Sequence, residues 1–106
     1  MRAWVLDESL DALVVALCGD YERRARLIEE GYISRRTETE FRYYNFKIYD
    51  AASEICGERY AESFIKEIGG RIGYAKSEND HLSEPTYKQY KQMIKHSIAK
   101  RLHLTD

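Results

Sequence analysis

The sequence predicts an all-α fold, a small single-domain bundle of about four helices, and three observations carry that prediction. Apolar residues recur at the 3.6-residue period along four segments. The chain holds one proline, Pro85, and its β-branched runs are few. At 106 residues it fits one domain over 1–106, with no room for a second core. With 43% apolar and 33% charged residues it groups with globular rather than disordered chains.

The first predicted helix runs from about Glu8 to Glu30. Leu10, Leu13, Val14, Leu17, Tyr21, Ala25 and Ile28 form its stripe, with Asp7 or Ser9 as cap and Gly31 as stop. Gly19 lies inside the pattern and offers a point to bend or split it. The second helix opens on Thr37-Glu38-Thr39-Glu40, which has the form of a capping box. Its stripe is Phe41, Tyr44, Ile48, Ala52 and Ile55, and Gly57 ends it. A further row, Tyr43, Phe46 and Tyr49, lies on the far side. Two apolar faces predict a central helix packed on both sides; the alternative is a dimer or partner surface.

The third predicted helix covers about Glu58 to Ile68, with Ala61, Phe64, Ile65 and Ile68 inward, and Gly69-Gly70 breaks it. Residues 75–81 read as loop, with a short helical turn as the alternative. The fourth begins at Ser83, where Leu82 and Tyr87 can form a hydrophobic staple and Pro85 falls where a missing N–H costs nothing. Tyr87, Tyr90, Ile94 and Ile98 line its inner face. Lys88, Gln89, Gln92, Lys95, His96, Ala99, Lys100 and His103 line the other.

Charge is unevenly placed along the chain. The net is −1, but residues 1–33 carry four basic and seven acidic side chains, whereas 71–106 carry seven basic and four acidic. Between Pro85 and His103 there are five lysines and arginines and no carboxylate. This points to a local anionic contact, or to a solvated helix end whose positive charge suits its dipole. Cys18 and Cys56 have no metal-type spacing and read as reduced thiols of a cytoplasmic protein. The N-terminus is too quickly charged for a signal peptide, and the longest apolar run, Ala12 to Cys18, is far too short to cross a membrane.

Chemistry of the enzymatic kind is not indicated, and neither a cofactor nor a metal is implied. There is no phosphate-cradling glycine loop, HExxH or nucleophile elbow. His96 and His103 share a helix face, but no third ligand accompanies them. The outward face of the fourth helix is more informative. Major-groove readout uses glutamine on adenine and lysine on guanine or phosphate, presented near a helix N-terminus. Thr86, Lys88, Gln89 and Gln92 occupy the early turns; Lys91, near the boundary, reaches outward, and Lys95 and Lys100 follow on the exposed side.

The pattern Ser83, Thr86, Lys91, Ile94, Ala99 and Leu102 resembles the recognition helix of ArpU/RinA-type phage transcriptional regulators. The stretch from Ser34 to Ile48 is similar to the opening of their central helix. The resemblance implies a sigma-factor-region-4-like helix-turn-helix within residues 57–104, and so a DNA-binding regulator of a phage or mobile element. Its implied partner is double-stranded DNA, with a homodimer open. The alternative is a mobile-element inhibitor such as an anti-CRISPR, which would act by surface contact on a protein such as a CRISPR effector. A near-zero net charge and an acidic N-terminal third suit that alternative. A third reading is a helical adaptor with no nucleic-acid role.

Overall fold

The computed structural model describes residues 5–105, and the all-α expectation holds there. The elements are α1 (Glu8–Gly19), α2 (Tyr21–Glu30), α3 (Arg35–Cys56), α4 (Glu58–Gly69) and α5 (Glu84–Arg101), with a 3-10 turn at Tyr74–Lys76. No strand occurs among the described residues, and no helix there is long and apolar enough to cross a membrane.

The first predicted helix is in fact two. The Asp7 carboxylate caps α1 by accepting the Leu10 amide at 2.9 Å. Gly19 closes the helix, and Asp20 leaves helical geometry with φ −96° and ψ 0°. Polar bonds then fix the bend. Asp20 accepts from Arg23 at 2.8 Å and from Arg24 at 3.2 Å. These guanidinium groups, Arg23 foremost, hold its carboxyl below the ordinary value. Arg24 is buried and donates to the Leu17 carbonyl at 2.6 Å and to Asn45 at 2.7 Å. The Asn45 amide returns a bond to the Tyr21 carbonyl at 3.1 Å. A buried guanidinium is tolerated when its fork is used in this way, and here it fastens the bend to α3. The buried set also differs from the predicted stripe. Leu13 is 45% exposed and Ala25 exposed, whereas Val14, Val15 and Cys18 go inside.

The cap of α3 is Ser34, not Thr37: the Ser34 hydroxyl accepts the Thr37 amide at 3.1 Å, one turn before the expected start. Both residues are good caps, and the earlier one wins because Arg35 and Arg36 have no reason to stay extended. α3 is the central helix, packing on α2, α4 and α5, while α1 packs on α4, α5 and α2. The core comprises Ile48, Ala51 and Ala52 of α3, Phe64, Ile65 and Ile68 of α4, and Tyr87, Ile94, Ile98 and Ala99 of α5, among others. Each large side chain removed from water contributes about 1.5–3 kcal/mol. Ser83 caps α5, as its position beside Pro85 suggests, accepting the Thr86 amide at 3.4 Å.

The long connection from α4 to α5 is organised by a buried carboxylate. Glu67 accepts from the Ser77 hydroxyl at 2.6 Å, the Glu78 amide at 2.8 Å, the Asn79 amide group at 3.0 Å and the Tyr87 phenol at 2.8 Å. Burial pushes its carboxyl upward, but the four donors outweigh burial and leave it below the ordinary value. Burial and the carboxylate together push the Tyr87 phenol up to about 12. Ahead of this hub, α4 ends in a Schellman motif: the Arg71 amide bonds Ile68 and the Ile72 amide bonds Glu67, at 3.2 and 2.9 Å. Arg71 takes the left-handed position with φ 54°, although Gly70 stands immediately before it. His103 does the same after α5, with φ 59°. A non-glycine residue there costs about 1 kcal/mol.

Candidate functional site

Two surfaces follow from the sequence, the outward face of α5 and the aromatic row on α3, and the fold treats them differently. On α5, Lys88 and Gln89 are exposed, Gln92 is half-exposed, and Lys100 is exposed. Thr86 is half-buried and engaged in the cap with Ser83. Lys88 lies 3.0 Å from Glu84, an exposed pair worth little.

Lys91 and Lys95 correct the expectation of outward cations. Lys95 is only 9% exposed and pairs with Asp11 of α1 at 2.7 Å. Lys91 is half-buried, donates to the Ile72 carbonyl at 2.7 Å and lies over the Tyr87 ring. Burial, then the charge of Lys95, holds the Lys91 ammonium below its ordinary value. The physical reason is packing: α5 meets α1 as well as α3, so a second side of this helix is covered. Arg101 is also used internally, bonding Asp50 and Glu54 of α3. The basic segment therefore spends three of its five cations inside the molecule.

The helix pair expected to read DNA also differs in its joint. Fourteen residues, 70–83, separate α4 from α5, and they include the 3-10 turn and the Glu67 hub. A standard helix-turn-helix joins its helices through three or four residues. α4 and α5 meet through aromatic side chains, Phe64 with Tyr87 and Tyr90 at centroid separations of 5.5 and 6.2 Å. His96 is half-exposed and His103 exposed.

The row on α3 corrects the expectation of a helix packed all round. Phe46 is 63% exposed and Tyr43 is 43% exposed, whereas Tyr49 is half-buried against the core. Tyr43 stacks edge-on with Tyr44 at 5.8 Å and carries the Lys47 ammonium over its ring. Between α2 and α3 runs an open groove of about 420 Å³, walled by Tyr21, Ala25, Ile28, Phe46 and Tyr49 with Arg42 and Asn45 at its polar positions. Asn45 in its wall is held by hydrogen bonds to Arg24 and Tyr21 of α2. Tyr32, in the link between the two helices, is 92% exposed. α3 is thus central and yet leaves part of its apolar surface uncovered.

Both thiols are free. Burial pushes Cys18 up to about 12 and Cys56 up to about 11, so neither is a ready nucleophile at neutral pH. Among the described residues no three His, Cys, Asp or Glu side chains gather to hold a metal ion. No protein-family model, curated protein or solved structure matches this chain.

Proposed function

We propose that this protein is a non-catalytic binding module that engages a protein partner through the α2–α3 face. The observation that carries the reading is the exposure of Phe46, in the wall of an apolar groove, and of Tyr43 one turn before it on α3. Clustered exposed aromatic surface is costly in water and marks interaction sites. Aromatic side chains flanked by arginine are what the energetic centres of protein interfaces contain. The partner offers an apolar side chain to the groove and polar groups to Arg42 and its neighbours.

The sequence resemblance and the exposed Lys88, Gln89 and Lys100 favour a second reading, a regulator that lays α5 on DNA. It is the weaker one. Duplex binding grows with the number of phosphates neutralised, and Lys91, Lys95 and Arg101 are half-buried or buried instead of standing out on the exposed face of α5.

A photo-crosslinking benzophenone side chain at position 46, compared with one at position 89, tests the two. Covalent capture of one protein from position 46 in the producing cell, confirmed with that protein purified, is the expected result. Capture of DNA from position 89, with none of protein from position 46, overturns it.

A further inference from the structure

A second recess lies on another side of the molecule, and it is lined by cations. Asp11 and Val15 of α1, Ile68 at the end of α4, Arg71 to Gly73 beyond it, and Lys91 and Lys95 of α5 enclose about 180 Å³. Arg71, Lys91 and Lys95 bring three positive charges to it, and Asp11 is the one carboxylate in its wall. Lys91 and Lys95 are four residues apart, so the helix sets them side by side.

Structural roles leave much of this donor set unused. An ammonium carries three N–H donors. Lys91 gives one to the Ile72 carbonyl and Lys95 one to Asp11. The Arg71 side chain makes no hydrogen bond or ion pair among the described residues and is exposed, so its guanidinium fork is open. The backbone adds a separate observation. Arg71 holds a left-handed conformation that suits glycine, with Gly70 one step away. The Schellman turn that ends α4 puts Arg71 in this conformation, and the same turn sets its side chain at the recess.

We propose that this recess binds a phosphate-sized oxyanion, with Arg71 closing over it and Lys91 and Lys95 donating from α5. An oxyanion there would accept the unused N–H groups and offset the burial and the neighbouring Lys95 charge that together lower Lys91. The volume sets the class of ligand. At about 180 Å³ the recess falls short of the roughly 300 Å³ at which sites for drug-sized molecules begin. A free phosphate or the phosphoryl end of a monoester fits; a nucleotide held whole does not. The site is independent of the α2–α3 face.

The test is a two-dimensional amide NMR titration with inorganic phosphate and, in a second arm, with phosphoserine, against sodium chloride of matched ionic strength. The expected result is saturable shifts confined to Asp11, residues 71–73 and Lys91 to Lys95, absent with chloride. Saturation by phosphate alone assigns the free ion; saturation by both assigns the phosphoryl group. R71G supplies the control for folding. It relieves backbone strain, so its melting temperature is expected to rise while phosphate affinity falls at least tenfold, with R71K intermediate. Linear shifts spread over surface lysines, or undiminished binding in R71G, overturn the proposal. A duplex oligonucleotide that moves the same amides at lower concentration than phosphate overturns the small-anion assignment.

Discussion

Gly69 lies backbone to backbone against Gly19 where α4 meets α1: a methyl group on Gly69 would fall 2.5 Å from the Gly19 nitrogen and 2.6 Å from its Cα. The relationship is one-sided. A methyl on Gly19 would sit 3.5 Å from the Gly69 carbonyl oxygen, an ordinary contact.

That asymmetry gives the first prediction. Gly69→Ala forces one helix off the other and is expected to destabilise the protein by about 1–3 kcal/mol, the range for overpacking. Gly19→Ala, at the last position of a helix, is expected to be neutral or to stabilise by about 0.4–1 kcal/mol through the unfolded chain. Urea denaturation of both variants checks it. Equal losses for the pair would mean that the helices are not in backbone contact.

The second prediction concerns the clasp between α5 and α1. Lys95→Ala leaves the Asp11 carboxylate unpaired in a partly covered position. A fully buried pair loses about 3–5 kcal/mol on such truncation. Asp11 keeps 28% of its side chain in solvent, so the expected loss is smaller, about 1–3 kcal/mol. A double-mutant cycle with Asp11→Ala should show a coupling of about 0.5–2 kcal/mol. Additive single-mutant effects would remove the clasp.

The third prediction follows from Glu67, whose folded carboxyl lies below its ordinary value of 4.5. The sign is then set. Its stabilising contribution is complete above the unfolded value and is lost as pH falls through the lower folded one. Denaturant midpoints measured from pH 7 down to pH 3 should decline at the acid end for the parent and more gently for Glu67→Gln. At pH 7 that variant is expected to be destabilised by at least about 1.5 kcal/mol, because charge-assisted bonds from the Ser77, Asn79 and Tyr87 side chains weaken together. Parallel pH curves for the two proteins would contradict it.

These three sites also show what the sequence makes visible. Helical period and terminal signals located the helices to within a turn, and Gly19 was readable as a break. The choice between Ser34 and Thr37 as cap was not, since both satisfy the same local rule. Glu67 stands three residues after Phe64 and one before Ile68, at an inward phase, so a buried carboxylate was detectable there. Lys95 is a different case. Its phase alone puts it on the edge of α5, and only the arrival of α1, far away in the chain, decides that it is covered. For the same reason the aromatic row on α3 could be seen as apolar, but its partial exposure depends on how far α2 extends over it.

The last prediction returns to that row, where the proposed function rests. Phe46 projects from a regular stretch of α3 and is mostly in water, so Phe46→Glu is expected to change stability by no more than about 0.5 kcal/mol. Its effect on binding should be large. Truncation of an aromatic anchor at the centre of an interface costs 2 kcal/mol or more, about a thirtyfold loss in affinity. Tyr43→Ala, at the edge of the same patch and still flanked by Tyr44, should cost less. The double variant K88A/Q89A changes the far side of the molecule's functional question, the exposed face of α5, and should bind the protein partner as the parent does. Calorimetric titration of the captured partner with all four proteins separates the readings. If K88A/Q89A loses the partner while Phe46→Glu keeps it, the α2–α3 face is not the binding surface and α5 takes its place.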